Sequence, residues 1–181
     1  VDSRLAGKFV LTGAAAMRMH FGRGPGTGFA IAVGGFNPRF AAPLGMPKLA
    51  RVAINLSSGD NPRLVCEAYI ALTPNTVQFG GAFELIASVK VLLTTYTAEG
   101  WFTINLLLVL KPLKFLARAT AGVSISAGDR ELFGVQLTAR LEGPQPWYAT
   151  GTAVFNFFGL DVDFGFAIGG QPGTLMIGLS V

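Results

Sequence analysis

The sequence predicts an all-β fold: an antiparallel meander of about ten long strands, rolled or closed around an apolar interior. Three observations predict it. Apolar and polar residues alternate with a period of two along most of the chain, which is typical of half-buried strands. Short turns rich in Gly, Pro and Asn separate these runs, so successive strands are expected to pair antiparallel. The chain is 51% hydrophobic and only 13% charged, against roughly 25% charged residues in typical soluble domains.

The clearest element is a hairpin over Arg63–Lys90. Its two alternating runs flank Thr73-Pro74-Asn75, where Pro and Asn suit a tight turn. In the second run the apolar residues share one parity, while Gln78, Glu84 and Lys90 share the other. A helix would bring polar residues onto apolar flanks, so the pattern favours strands.

Three further strands and one long connecting segment precede this hairpin. Weak alternation predicts one long first strand over residues 4–21, and a glycine-rich turn then leads to a strand over 29–33. That turn lacks both the helix start and the Lys-Ser/Thr pair of a phosphate-binding loop. Residues 37–48 contain three prolines, which disfavour ladder pairing, so we expect this long segment to pack over one end of the sheet. A short strand is predicted at 52–56.

Alternation continues to the end of the chain. Residues 96–100 are expected to connect the hairpin to the most apolar strand, 101–110, which Pro112 should kink before the pattern resumes. We interpret residues 1–181 as a single β domain or a piece of a larger protein. Further strands are predicted at 113–126, 133–142, 147–157, 160–168 and 175–181.

The apolar rows of these strands are the candidate interior. A sheet with one continuous apolar face must roll, close or stack to cover that face. Small residues at many outward positions suit close approach by another layer, which indicates self-association. The candidate interior residues are Phe79, Phe83, Leu85, Phe102, Ile104, Leu106, Leu108, Phe115, Val135, Leu137, Phe164 and Phe166.

Reactive side chains are scarce. His20 is the only histidine, so one chain cannot build a histidine-based triad or a multi-histidine metal site. Asp161 and Asp163 lack further oxygen ligands for calcium. Glu67 and Glu84 could pair across the hairpin, but glycosidase chemistry also needs a sugar-binding cleft. The sequence therefore predicts a protein that is not an enzyme and has no metal and no cofactor.

The charge distribution and the absence of visible targeting signals limit the classes of partner and the locations that we expect. The formal charge of +4 comes from basic residues spread thinly along the chain, so nucleic-acid binding is not expected. No apolar run approaches the roughly 20 residues of a membrane-spanning helix. No secretory signal is visible, which favours a cytoplasmic location. The single Cys66 excludes an internal disulfide.

Several phrases occur in order along the chain: Gly34-Gly35-Phe36-Asn37-Pro38-Arg39-Phe40, Glu67-Ala68-Tyr69-Ile70-Ala71-Leu72-Thr73-Pro74, Gly80-Gly81 with Glu84, Trp101-Phe102 leading to Lys111-Pro112, and Gly143-Pro144 before a strand ending Phe164-Gly165. Taken together, they resemble a domain-of-unknown-function family, a β-rich module of large, mostly bacterial proteins. The resemblance implies an extended, rolled antiparallel sheet with a hydrophobic interior, and it supplies no catalytic residues.

These observations favour a structural function. We predict a non-enzymatic, self-associating β module whose hydrophobic interior holds lipid or another apolar small molecule, either as a homo-oligomer or within a larger chain. Two alternatives remain open. One is a transmembrane β-barrel, in which one parity of each strand meets lipid. The other is an enzyme fragment whose site is completed by further sequence.

Overall fold

The chain folds as a series of long hairpins that add to one antiparallel sheet. A computed structural model describes residues 3–5, 9–24, 27–57, 59–144, 146–169 and 175–180, with backbone only for 3–5 and 175–180. The strands are β1 (Ser3–Leu5), β2 (Phe9–Thr12), β3 (Ala15–His20), β4 (Gly28–Val33), β5 (Val52–Asn55), β6 (Arg63–Thr73), β7 (Thr76–Val91), β8 (Thr94–Val109), β9 (Lys114–Ala127), β10 (Arg130–Gly143), β11 (Tyr148–Phe157), β12 (Leu160–Gly169) and β13 (Leu175–Ser180).

The strand order follows the chain over most of the sheet. It runs β1-β2-β5-β6-β7-β8-β9-β10-β11-β12-β13, and the β3–β4 hairpin joins through β4 to one end of β6. Within the described ranges no pairing links the first strands to the last, so hydrogen bonds do not close the sheet. The predicted all-β antiparallel meander is confirmed as a strongly meandering sheet. The described residues contain no helix long and apolar enough to cross a membrane.

The pairing register divides the side chains between two faces. Partners such as Phe79 and Leu106, Leu106 and Ala117, or Leu137 and Ala153 lie on one side, which we call the apolar face. The alternate residues, including Gln78, lie on the other side, which we call the polar face. Among the described strand residues the register places one charged residue on the apolar face, Arg130, at the turn that begins β10. The period-two pattern of the sequence therefore corresponds to two chemically distinct surfaces.

Three predicted elements differ from the structure. The single first strand is wrong: the chain breaks around Gly13, where an added Cβ would meet the Val52 backbone at 2.9 Å, and β2 and β3 pair with different strands. The connector at 96–100 is also wrong, because these residues lie in β8 opposite β7 and the turn comes at 92–93. The chain reverses fully near Pro112 rather than kinking, and β9 pairs back on β8.

The most buried residues lie on the polar face beneath residues 34–51, which we call the covering loop. Its Asn37 N–H donates to Gln78 Oε1 at 2.9 Å, and Arg51 donates to the carbonyls of Gly34 and Phe36. The sequence predicts that residues 37–48 pack over one end of the sheet, and Asn37 and Arg39 do lie near the end of β8 and the starts of β7 and β9. In the described part of the chain, the buried apolar residues are few and all lie on the polar face: Ala30, Ala32, Tyr69 and Ala71.

Candidate functional site

All twelve candidate interior residues lie on the apolar face. The register sets Phe83 opposite Phe102 across β7 and β8, and Leu108 opposite Phe115 across β8 and β9. On β10, Leu137 opposes Ala121 of β9 and Ala153 of β11. The structure thus brings these residues to one side of four neighbouring strands, β7 to β10, and of β12 beyond β11. The remaining positions are Phe79, Leu85, Ile104, Leu106, Val135, Phe164 and Phe166.

These side chains are not enclosed in the single chain. Phe79 is 44% exposed, Phe102 41% and Leu137 46%. Phe83, Phe164 and Phe166 are exposed to a similar degree, and the other six residues are half-buried. The candidate interior is therefore an open surface in the isolated chain, and its enclosure stays a prediction.

Between β8 and β12, large and small side chains alternate from strand to strand over the middle of this face. The large residues of β8, β10 and β12 form ridges, and the small residues of β9 and β11 form furrows between them. A cavity of about 210 Å³ is lined by Phe83, Phe102, Val135 and Leu137, and one of about 390 Å³ is lined by Leu137 and Phe166 among others. The two cavities meet at Leu137. The furrow residues are Ala117, Ala119 and Ala121 of β9 and Ala149, Gly151 and Ala153 of β11.

Aromatic rings cover glycines on both faces. On the apolar face the Phe166 ring lies against Gly151 of the neighbouring strand, and on the polar face Trp101 lies against Gly122 in the same way. Phe155 and Phe164 also meet edge to face, with ring centroids 5.6 Å apart. Such cross-strand contacts fix the register and the ring orientations. They shape the ridges without enclosing them.

A second cluster lies under the covering loop on the polar face. The Arg51 guanidinium stacks on the Tyr69 ring at 3.8 Å, and the Tyr69 hydroxyl donates to Asn105 Oδ1 at 2.8 Å. Gln78 has no exposed surface and donates through Nε2 to Thr76 Oγ1. Burial raises the pKa of Tyr69, partly opposed by Arg51, and burial lowers the pKa of Arg51. The sequence pattern assigns Gln78 to the polar parity, but it gives no sign that a loop buries Gln78 or Tyr69.

The polar residues that could serve catalysis are dispersed. His20 is exposed on β3, and Glu84 pairs with Arg63 at 3.7 Å on an exposed part of β6 and β7. Asp161 accepts a hydrogen bond from Asn156 Nδ2 across the β11–β12 turn. Within the described residues, no group of three or more His, Cys, Asp or Glu side chains is arranged to hold a metal ion.

Comparison with known proteins identifies one family. No curated protein and no solved structure shows significant similarity to the chain. One family model, described as a family of unknown function, matches residues 1–177, nearly the full length and therefore both the apolar face and the covering loop. The chain belongs to this family of unknown function, DUF6603.

Proposed function

We propose that this protein is a non-enzymatic structural module that associates with further copies of itself through the apolar face, and that the furrows of this face hold lipid or another apolar molecule. One observation carries the proposal. From Leu64 to Ile168 the apolar face carries a single charged residue, Arg130 at its margin, while many of its large side chains, such as Phe79, Phe102 and Leu137, are more than a third exposed. A surface of this size is unstable in water unless something covers it.

The accessible area of the chain supports a covering partner. A compact monomer of 19.0 kDa is expected to expose roughly 8,400 Å². The chain exposes 12143 Å², an excess of roughly 3,700 Å² over that scaling. Obligate interfaces remove roughly 2,000–5,000 Å² from two partners together. The excess is thus large enough for an extensive interface.

The relief of the apolar face favours a second copy as the covering surface. Ridges on alternate strands recur at about twice the 4.7–4.9 Å strand spacing, so the ridges of one copy match the furrows of another. Two sheets that pack face to face interdigitate their inner side chains in this way. Where two copies leave a furrow unfilled, an acyl chain or another apolar molecule can occupy it.

Charge introduced in the middle of the apolar face tests the proposal. Leu137→Lys places an ammonium group between the two cavities, and Gln136→Lys places the same group on the exposed polar side of the same strand. We expect the wild type and Gln136→Lys to sediment as the same oligomer. Leu137→Lys should dissociate at least about thirtyfold more readily, since central interface residues contribute about 2 kcal/mol or more.

Bound apolar molecules are measured on the same samples. Native mass spectrometry before and after organic extraction should show extractable mass in the wild type and less in Leu137→Lys. A wild-type chain that stays monomeric and carries no extractable molecule would refute the proposal. Equal dissociation of the two lysine variants would also refute it, because charge rather than the apolar face would then control assembly.

A further inference from the structure

A row of basic and amide side chains crosses the middle of the polar face. The register sets Asn105 of β8 directly opposite Arg118 of β9, and Arg118 directly opposite Arg140 of β10. Like charges at directly opposed positions destabilise a sheet. Nothing in the strand pattern requires two arginines at this point, so their juxtaposition calls for a compensating charge.

The covering loop adds a third guanidinium to this row. Arg39 and Arg118 line a small cavity together with Asn37, Asn105 and Leu116, and its volume is about 70 Å³. This is more space than one water molecule needs, so the cavity can hold a small polar group such as a carboxylate or phosphate. The Asn105 Oδ1 accepts from the Tyr69 hydroxyl, which leaves the Asn105 amide N–H groups as donors.

Among the described residues, a carboxylate pairs with only one arginine of this row, Arg140. Glu142 Oε1 accepts from Arg140, both through Nε at 2.7 Å and through Nη2. The Nε of Arg118 is buried and has no hydrogen-bond partner among the described residues. Burial lowers the pKa of Arg118, and so do the charges of Arg39 and Arg140, while Glu142 opposes them. A buried donor without a partner is costly unless a ligand or water accepts from it.

An apolar groove begins where the small cavity ends. Leu116 lines both, and on β8 and β9 the opposed pair Leu107 and Leu116 follows the opposed pair Asn105 and Arg118. The groove has a volume of about 520 Å³ and also contains Val109 and Tyr148. Its charged lining residues are Lys114 and Glu142, and Glu142 is paired with Arg140. A cluster of donors therefore adjoins an apolar channel on one face of the sheet.

We propose that this arrangement binds an amphipathic anion: its carboxylate or phosphate group accepts hydrogen bonds from Arg118, Arg39 and Asn105, and its apolar remainder lies in the groove over Leu107 and Leu116. Guanidinium groups bind planar and tetrahedral oxyanions through charge-assisted hydrogen bonds. The site goes beyond the proposed self-association and is independent of it, because it lies on the opposite face of the sheet.

Four probes separate the head group from the tail. Titration calorimetry of the wild-type chain would use dodecanoate, dodecyl phosphate, dodecanol and inorganic phosphate. We expect both dodecyl anions to fill one site per chain that Arg118→Gln removes, in addition to any site in the furrows of the apolar face, and both to raise the melting temperature. Dodecanol lacks the charge and inorganic phosphate lacks the tail, so each should bind the Arg118-dependent site at least tenfold more weakly. Dodecanol binding to the Arg118-dependent site as tight as dodecanoate would overturn the proposal.

Two arginine substitutions provide the matched comparison. Arg118→Gln removes the unpartnered donor, and Arg130→Gln removes an exposed arginine at the β9–β10 turn, outside the row. Arg118→Gln should weaken the dodecyl anions roughly 10- to 100-fold, the value of a lost charged hydrogen bond. Arg130→Gln should leave the affinity within twofold. Arg39→Gln, an exposed loop substitution, repeats the test without altering a strand.

The ligand-free proteins give a second readout. Because Arg118→Gln relieves a like-charge contact, its melting temperature without ligand should equal or exceed that of the wild type, while the shift produced by dodecanoate should vanish. Unchanged affinity in both Arg118→Gln and Arg39→Gln would overturn the proposal. If Leu137→Lys loses the oligomer but still binds dodecanoate at the Arg118-dependent site, the polar-face site does not depend on assembly through the apolar face.

Discussion

The two faces of this sheet share one backbone and differ in almost every other respect. The apolar face is continuous, nearly free of charge and poorly buried, whereas the polar face holds the tightly packed contacts under the covering loop. In most single domains the apolar side of a sheet is the buried side. Here the isolated chain buries Tyr69 together with polar and small residues, and leaves most of its large aliphatic and phenylalanine side chains accessible.

This difference separates two sources of stability. Contacts such as Arg51 on Tyr69, or Asn37 with Gln78, exist within one chain and are independent of protein concentration. The apolar face contributes its full hydrophobic free energy only when a partner covers it, so that contribution rises with concentration by mass action. The polar face therefore fixes the local fold, whereas the apolar face is the surface that we propose for association.

Tyr69→Ala should cause the largest loss of stability on the polar face. Tyr69 is 5% exposed and contacts Arg51, Asn105 and Gly80. We expect a loss of about 3–5 kcal/mol in the free energy of unfolding, as for other large buried aromatic residues. Tyr96→Ala, at a 39% exposed position of the apolar face, should lose about 1 kcal/mol. Urea denaturation at low protein concentration measures both, and equal losses would contradict the contrast between the faces.

Gly80→Ala tests the packing under Tyr69 from the neighbouring strand. A Cβ at this position would lie 2.5 Å from both the Ile104 carbonyl oxygen and the Tyr69 ring. Because a backbone atom must shift, we expect a loss of about 1–3 kcal/mol in the free energy of unfolding. Gly165 lies on the same face, and a Cβ added there would lie 3.9 Å from its nearest neighbour, the Gly151 carbonyl oxygen. Gly165→Ala should therefore change the free energy of unfolding by less than about 0.5 kcal/mol. If urea denaturation gave the same free energy of unfolding for Gly80→Ala as for Gly165→Ala, the packing around Gly80 would be looser than the structure indicates.

Gln78→Leu removes the anchor of the covering loop while keeping the size of the side chain. The Asn37 N–H would lose its acceptor in a buried position, which should lower stability by about 1–2 kcal/mol. Hydrogen exchange at the Asn37 amide should accelerate, and limited proteolysis should cut within residues 34–51 sooner. Gln136→Leu, on the exposed part of the polar face, serves as the control. An unchanged exchange rate in Gln78→Leu would show that the loop is held by other contacts.

The faces were predictable from the sequence because strand periodicity is a local property. Each apolar row has one parity, so any antiparallel register that aligns the rows places Phe79, Leu106 and Leu137 on the same side. The strand at 96–100 was missed for a related reason. Its polar residues Thr97 and Glu99 lie on the polar face, and the residues between and after them, Ala98 and Gly100, are small. A run of polar and small residues of this kind is also typical of a turn.

The polar cluster was not predictable in the same way, because its burial depends on distant parts of the chain. Asn37 and Gln78 are 41 positions apart, and Tyr69 and Asn105 are 36 apart. A glutamine on the polar parity ordinarily indicates solvent, and only the covering loop reverses this. The opposition of Arg118 and Arg140 likewise needs the register of β9 and β10, which hydrophobic alternation restricts only to steps of two residues.

Glu84→Gln should produce the smallest effect, because it removes an exposed charge rather than a buried contact of the polar face. Glu84 lies on the polar face beyond the covering loop, and its contact with Arg63 is 3.7 Å long between side chains about half exposed, 48% and 49%. Water screens such a pair, so its loss should change the free energy of unfolding by less than about 0.5 kcal/mol, at low and at high salt. Denaturation of Glu84→Gln beside Gln78→Leu then compares an exposed charge with a buried neutral hydrogen bond on the same strand. A larger loss in Glu84→Gln would mean that surface charge, rather than burial under residues 34–51, stabilises the polar face.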